Sequence, residues 1–480
     1  MEGVANSVED KLIDGLSFKH KPGASYITDR KSVTFHPSGS NFYSTNGTKL
    51  IKIVLTGDQW LDPSTLRIMF DLSNTSGVNG RKLRPLGGPH SFFRRMRILC
   101  GGQVIEDIDS YNRVHEMLRI LKAQDANINA DAEAFGQQYD KYQTLNTTTL
   151  DGIQAGEFHT VLFKPCCGLF NQPKMLPIRY CPITIELELV NDPNEPIVSN
   201  SSPGANGFDP SNTTDANTST SWALQNVQVK CDVVTLDNQL DNSYAQALLN
   251  GTRLPINYQT YISQMQSILS GTNGQQKVRL NVTRALSRLK NVFITLNNDV
   301  PSGNLNDVVK YKPWNSFYSP YENYAGSTMN SFDKNGEFEA MVQVGSKKFP
   351  ETEIRSHQEA YYQLRKTLGS HDQHNSIDIT QHEYKTRKFV LGFDMERVLE
   401  AGFTGINTRQ GDIMSILHPT GMRGYVFVES SAIYHVEKLI GRSGGRDPTS
   451  RRGINQTPLK NAKTVLPGEA PLADILPYLE

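Results

Sequence analysis

Residues 441–445 read Gly-Arg-Ser-Gly-Gly, the letter pattern of the turn that presents the nucleophilic serine in α/β hydrolases. A predicted strand precedes this segment, as that turn requires. The motif also needs a helix directly after the serine, and residues 446–452 carry no apolar face for one. We therefore predict a flexible hinge around Ser443 and no serine nucleophile.

Histidine and acidic side chains that would suit a metal ion cluster further upstream. The set comprises His371, Asp372, His374, Asp378, His382 and Glu383. Imidazole and carboxylate groups are common metal ligands, but a metal site also needs a fixed shell of supporting bonds. Because the surrounding segment has the polar composition of a loop, we predict a solvated loop there and no metal centre.

Other signatures of enzymes are missing from the sequence. Neither half contains the closely spaced His-x-His pair with a following glutamate that a cupin metal site needs, and no Gly-x-x-x-x-Gly-Lys-[Ser/Thr] phosphate loop occurs. Acidic residues are plentiful, yet spacing alone nominates no pair for acid–base catalysis. We predict that the chain is not an enzyme, with no catalytic, cofactor-binding or metal-binding residues and no small-molecule substrate.

The cysteines and the N-terminal residues bear on the cellular compartment. Five cysteines occur, namely Cys100, Cys166, Cys167, Cys181 and Cys231. Their odd number and the lack of Cys-x-x-Cys spacing favour buried free thiols in a reducing compartment. Residues 1–16 carry charges throughout, unlike a secretory signal, and no window reaches the roughly eighteen apolar residues of a membrane span. We expect synthesis and folding in the cytosol.

Charge is balanced overall and uneven only near the C-terminus. Lysine plus arginine and aspartate plus glutamate each number 49, so no global field attracts or repels nucleic acid. The basic residues of the tail face only one acidic residue, Asp447; they are Arg442, Arg446, Arg451, Arg452, Lys460 and Lys463. Two interpretations stay open for this basic arm: contact with a genome or an acidic partner, and a plain solvated tail.

Several segments of the first half alternate apolar and polar residues, as half-buried strands do. The clearest is residues 183–190, and further strands are predicted at residues 49–56, 64–71, 95–100, 103–108, 158–164 and 222–237. Asp62 and Pro63 separate the first two of these further strands. Gly101 and Gly102 predict a tight hairpin turn, and a helix is expected to follow with Asp109 as its cap.

The second half repeats this order of elements. Strands are predicted at residues 278–282, 288–296, 388–393, 412–417 and 422–439, and a helix at 352–368 that ends at Gly369. Residues 288–296 are interpreted as the counterpart of residues 94–102. The two closing strands, 222–237 and 422–439, indicate one sandwich plan built twice. The prediction is a mainly β protein of two antiparallel sandwiches with a few short helices and long loops.

Two inserts interrupt this plan. Residues 195–221 consist almost entirely of small and polar residues and predict an exposed loop. Residues 311–332 are rich in aromatic side chains, including Trp314 and Phe317, set among Pro, Asn and Ser. Packing of this segment on itself or a contact between subunits is favoured over the stacking of a ligand.

Two segments of the first half resemble a known family. Residues 168–182 read Gly-Leu-Phe-Asn-Gln-Pro-Lys-Met-Leu-Pro-Ile-Arg-Tyr-Cys-Pro, and residues 91–106 read Ser-Phe-Phe-Arg-Arg-Met-Arg-Ile-Leu-Cys-Gly-Gly-Gln-Val-Ile-Glu. Both are similar to segments of the double jelly-roll major capsid proteins of polinton-like viruses and virophages, in the adenovirus-like capsid lineage. The motifs lie between residues 91 and 190, while the order of elements extends the likeness over most of the chain.

The resemblance implies two tandem eight-stranded jelly rolls. We expect an N-terminal arm at residues 1–30, jelly rolls at 31–240 and 241–440, and a flexible basic tail at 441–480. Three chains would form a homotrimeric capsomer of sixfold outline, because two similar lobes per chain give six around an axis, and such capsomers would tile an icosahedral shell.

The resemblance also implies partners and a location. The partners would be neighbouring capsomers, penton proteins and minor capsid proteins, and Arg442, Arg446, Arg451 and Arg452 would reach the genome or an internal layer. The chain would be made and assembled inside the host cell and end in the virion.

Two other functions stay open on the sequence alone. One is a two-sandwich carbohydrate-binding protein or hydrolase, for which the aromatic segment around Trp314 would supply stacking rings. The other is a transient assembly scaffold of the same fold, which would leave the mature particle.

Overall fold

The computed structural model describes residues 26–85, 87–135, 152–197, 203–204, 207–208, 219–267, 286, 288–297, 317, 340–369, 377, 379–386, 388–396, 405–408, 414–416 and 423–436. The strands at 158–164, 183–190, 222–237, 388–393, 412–417 and 422–439 are confirmed within a few residues. The predicted strand at 278–282 lies outside the described residues.

Twelve strands are found among the described residues of the first half of the chain. They are β1 (Ile27–Phe35), β2 (Phe42–Tyr43), β3 (Leu50–Leu55), β4 (Trp60–Asn74), β5 (Phe93–Cys100), β6 (Gln103–Ile108), β7 (Phe158–Phe163), β8 (Leu176–Pro177), β9 (Ile183–Leu189), β10 (Pro203–Gly204), β11 (Gly207–Phe208) and β12 (Trp222–Leu236). Helices α1 (Tyr111–Ile120), α2 (Gln124–Ala132) and α3 (Gly168–Asn171) lie between them, and a 3₁₀ turn spans Pro89–Phe92.

The second half contributes seven described strands. They are β13 (Leu254–Ser267), β14 (Leu289–Asn297), β15 (Ala340–Val344), β16 (Lys347–Ile354), β17 (Val390–Asp394), β18 (Met414–Ile416) and β19 (Arg423–Val436). Helix α4 (Asn238–Leu249) links the halves, and α5 (His357–Thr367) and α6 (Gln381–Thr386) follow later. Residue 240, the predicted boundary between the jelly rolls, therefore falls inside the linking helix.

The first sandwich is a jelly roll in which each sheet has a main path of four strands. One sheet has the order β1-β12-β4-β7, with β2 and β8 added at its side, and the facing sheet has the order β3-β9-β5-β6. All of these pairs are antiparallel. The strands alternate between buried and exposed residues because one face of each sheet packs on the core. In β9, Ile183, Ile185 and Leu187 are almost fully buried.

The second sandwich repeats the same topology. Its sheets have the orders β13-β19-β14-β17 and β16-β15-β18. Strand for strand, β13 corresponds to β1, β14 to β4, β15 to β5, β16 to β6, β17 to β7, β18 to β9 and β19 to β12. A counterpart of β3 would fall between β13 and β14. Helices α1 and α5 also correspond, because each follows the edge strand β6 or β16 and precedes β7 or β17.

One predicted correspondence between the halves is wrong. Residues 288–296 form β14, which pairs with the closing strand β19 and so matches β4, whereas residues 94–102 contain β5. The true counterpart of the β5–β6 hairpin is the β15–β16 hairpin, which turns at Gly345 with φ 60°. Apolar alternation marks a strand but not its partner, so the mismatch was invisible in the sequence. The hairpin turn at Gly101 and Gly102 is confirmed, with φ of 55° and 81°.

Two predicted boundaries in the first half are also wrong. Asp62 and Pro63 do not separate strands but lie inside β4, where the register with β12 shifts between Lys230 and Asp232. A bulge at that point accommodates the proline without loss of the strand. Asp109 does not cap α1, because Ser110 occupies the cap position in a left-handed conformation without a side-chain bond.

The helix predicted at residues 352–368 begins later, at His357, because residues up to Ile354 belong to β16. Ser356 caps this helix by accepting a hydrogen bond from the amide of Glu359, and the Glu359 carboxylate accepts one from the amide of Arg355. This pair resembles a capping box, except that the Glu359 carboxylate bonds the amide of the residue before the cap. The predicted end at Gly369 is confirmed, with φ 66°.

Candidate functional site

The segments that sequence motifs had singled out for chemistry fall largely outside the described residues. These include Ser443, His371, Asp372, His374, Asp378, Trp314 and the basic residues of the tail. The side chain of His382 is likewise outside the description, while Phe317 is described and fully buried. Within the described ranges, no group of three or more His, Cys, Asp or Glu side chains is placed to hold a metal ion.

The five cysteines are all described, and none of them forms a disulfide. Cys100, Cys167, Cys181 and Cys231 are buried and Cys166 is half-buried. Burial raises the pKa of the Cys231 thiol to about 12, so this group stays protonated and unreactive at neutral pH. Among the described helices, none is long and apolar enough to cross a membrane.

A buried polar cluster joins α1 to the 3₁₀ turn of the first sandwich. The rings of His90 and His115 stack with centroids 4.0 Å apart, and Nε2 of His90 lies 2.9 Å from Oε2 of Glu116. Arg119 contacts both Glu116 and Asp131 at 3.4 Å. Burial, followed by the charge of Arg119, holds the pKa of His90 well below its usual value. Burial, followed by the electrostatic effect of His90, also holds the pKa of His115 well below its usual value. His90 is buried and His115 is half-buried, and the contacts of this cluster hold α1 against the 3₁₀ turn.

A second buried group, Glu106, stands where the two sandwiches meet. Its carboxylate accepts hydrogen bonds from the amides of Gly168, at 3.0 Å, and Leu169, at 2.6 Å, at the start of α3. Burial raises the pKa of Glu106 to about 7, against these two bonds, which favour the charged form. Sequence analysis missed this residue, since Glu106 has no spacing that sets it apart from a surface carboxylate.

The junction continues from α3 to strand β13 of the second sandwich. A β-carbon at Gly168 would lie 1.6 Å from the carbonyl oxygen of Gln259, so the backbones meet directly. Nζ of Lys174 donates to the carbonyl oxygen of Pro255 at 3.0 Å, and the Ser263 hydroxyl donates to the carbonyl oxygen of Asp109. The junction therefore joins β6 and the segment after β7 in one sandwich to β13 in the other.

Helix α4 forms the covalent link beneath this junction. Asp241 accepts a hydrogen bond from Arg179 at 2.6 Å and lies 3.5 Å from Nε1 of Trp60. The rings of Trp60 and Tyr244 are 5.0 Å apart. These contacts pack the helix against the first sandwich, and they therefore fix the position from which the chain continues into β13.

An open cleft of about 290 Å³ lies along the junction. Its lining includes Asn171, Gln172, Asn257, Tyr258, Gln259 and Tyr261. None of these residues is charged, so the cleft offers neutral amide and phenol groups and no charged side chain that would bind an ionic substrate. The side chains that line this cleft include no carboxylate, imidazole, amine or thiol group.

Solved structures with the same fold are viral capsid proteins. A chain of the Sputnik virophage is 10% identical with a TM-score of 0.56, the match covering 92% of this chain and 97% of that chain. VP54 of PBCV-1 is 12% identical with a TM-score of 0.54, covering 90% and 100%. The Faustovirus major capsid protein is 8% identical with a TM-score of 0.51, covering 89% and 93%. At such identities, the likeness shows the fold.

Sequence comparisons add little. Residues 396–452 match the family model described as early transcription elongation factor of RNA pol II, NGN section. Within that span the described strand β19 pairs with both β13 and β14 of the second sandwich. No curated protein matches the sequence. With two sandwiches of repeated topology and these structural neighbours, the chain has the double jelly-roll fold of viral major capsid proteins.

Proposed function

We propose that this chain is a viral major capsid protein whose activity is self-assembly. The observation that carries the proposal is the repeated strand order of the two sandwiches, which matches capsid proteins over about nine-tenths of the chain. A fold shared with capsid proteins does not by itself fix function. The internal repeat adds a physical reason for the capsid role. A closed trimer of chains that each have two similar lobes contains six similar lobes around its axis.

The assembled unit is a homotrimer of pseudo-hexagonal outline. Three chains related by a threefold axis place six similar lobes in a ring, and hexagons fill a surface without gaps. Such capsomers tile an icosahedral shell together with penton and minor capsid proteins at positions that hexagons cannot occupy. Assembly of the shell depends on many modest interfaces between chains, so the proposal includes no catalytic site and no cofactor.

Location and nucleic-acid contact follow from the same proposal. The chain is synthesised and assembled in the host cell and resides in the virion shell. Arg442, Arg446, Arg451 and Arg452 of the basic tail contact the genome or an internal layer on the inner side of that shell. The domain limits of the proposal follow those predicted from sequence, with the tail at 441–480, except that the arm predicted at 1–30 ends before β1 begins at Ile27.

Light scattering coupled to size-exclusion chromatography tests the proposal, with negative-stain imaging of the same fractions. The purified chain should elute with three times the 53.6 kDa mass of one chain and show particles of sixfold outline. A monodisperse monomer at all concentrations and salt conditions would overturn it. A trimer that is found in infected cells but is missing from purified virions would identify a transient scaffold instead.

A further inference from the structure

We propose that strand β1 of one protomer packs against the outer side of strand β16 of a second protomer, repeating between chains the junction that joins the two sandwiches within a chain. This inference rests on the proposed function, because it names the surfaces through which the capsomer closes. Its occupant is a second copy of this chain. It follows from three features of the described residues. The junction joins two unlike surfaces head to tail, the two sandwiches have the same topology, and two edge strands are exposed.

The junction within the chain joins two different kinds of surface. The first sandwich contributes β6 with α3, and the second contributes β13. By strand correspondence β13 is the equivalent of β1, while β6 is the equivalent of β16. A contact of this kind, in which unlike surfaces of similar units meet head to tail, is heterologous.

A heterologous contact leaves one unused surface at each end. In a single chain these are the β1 side of the first sandwich and the β16 side of the second. Repetition of such a contact either closes a ring or grows an open filament. Because each chain has two sandwiches, a ring of six sandwiches contains three chains. Around that ring, the junction at β13 within a chain alternates with the β1–β16 contact between chains.

The exposure of the edge strands agrees with this assignment. In the covered strand β13, Leu254, Ile256 and Tyr258 are at most 5% exposed. Its equivalent β1 has no buried residue, and Tyr26 and Ile27 beside and within it are 40% and 49% exposed. Strand β1 thus resembles β13 in position in its sheet but is much more exposed.

Strand β16 is also largely open, though less so than β1. Only Ile354 is buried among its eight residues, and within the described part of the chain no strand pairs with its outer edge or with that of β1. Both strands carry charges of each sign, with Asp29 and Lys31 on β1 and Lys348 and Glu351 on β16. Charges on an exposed edge disfavour unspecific strand pairing and leave opposite charges available for one register.

A photo-crosslinking experiment on the full chain tests the contact. Lys31 is replaced by p-benzoylphenylalanine, and the same replacement at Thr34 provides a second exposed position in β1. The control places the probe at Phe158, which is 62% exposed on β7 at the opposite edge of the same sheet. Each variant is irradiated, separated on a denaturing gel and mapped by mass spectrometry, and the mass of the native assembly is measured beforehand.

The expected result is a covalent dimer for the β1 probes whose cross-linked peptide contains residues 347–356. The Phe158 probe should give several-fold less of this product. A trimer whose β1 probes react with other peptides, or with no second chain, overturns the β1–β16 contact and leaves the proposed function standing. A chain that is monomeric with or without the probe overturns the proposed function and this contact together.

Discussion

The carbonyl oxygen of Gln259 lies only 1.6 Å from the point where a β-carbon on Gly168 would stand. The two residues belong to different sandwiches, so this approach is made by the backbones of α3 and β13 across the junction. Glycine is required at residue 168 for reasons of space, since the nearest atoms are backbone atoms that cannot swing aside.

Gly168→Ala should therefore separate α3 from β13. We expect a loss of about 1–3 kcal/mol or more in the free energy of unfolding, the usual cost of forcing an extra carbon into packed structure. Urea unfolding followed by tryptophan fluorescence measures it. Gly77→Ala is the matched control, because no atom lies within 4 Å of a β-carbon there and the stability should barely change. Equal stabilities of the two variants would show that the junction is looser than described.

Glu106 should make the junction sensitive to pH near neutrality. Its pKa is raised from 4.5 to about 7 in the folded chain, so the folded state binds the proton more tightly than the unfolded state. The stability contributed by protonated Glu106 is complete below pH 4.5 and is lost as the pH rises through about 7. The total change is up to roughly 3 kcal/mol, taking about 1.4 kcal/mol for each pKa unit.

Glu106→Gln removes this titration and provides the measurement. The stability of the wild-type chain relative to the variant should fall between pH 5.5 and pH 8, as determined by urea unfolding at each pH. Glu157→Gln changes an exposed carboxylate and should keep the wild-type pH profile. Parallel profiles for the wild type and Glu106→Gln would contradict the assignment.

The stacked pair His90 and His115 should change the stability with pH in the direction opposite to that of Glu106. Burial lowers the pKa of both rings, so the unfolded chain takes up their protons first as the pH falls. Their contribution to stability is present above pH 6.5 and is lost below it, by up to about 1.4 kcal/mol per pH unit for each proton. His115→Gln should flatten the thermal stability profile between pH 7 and pH 5.5.

His36→Gln is the control for that prediction, because His36 is exposed. Its melting temperature should follow the wild-type curve over the same range. If His115→Gln loses stability with acid as steeply as the wild type does, the acid response has another origin.

Period-two alternation was a reliable guide to single strands. Residues 183–190 alternate because one face of β9 packs on the core, and the same physics places β7 and β17. Gly101 and Gly102 marked their turn because a primed turn needs positive φ. The prediction of a break between strands at Asp62 and Pro63 was wrong because a bulge allows a proline inside a strand. The prediction of Asp109 as a helix cap was wrong because Ser110 occupies the cap position.

The amino-acid sequence by itself predicted that this chain is mainly β, that its plan is built twice and that its cysteines form no disulfides. These properties follow from local periodicity and composition. Only the tertiary structure decided which strand of one sandwich matches which of the other, and that Glu106 and Gly168 form the junction with Gln259. Those relations join residues far apart in the chain, and strand pairing and burial depend on neighbours that no local pattern of letters contains.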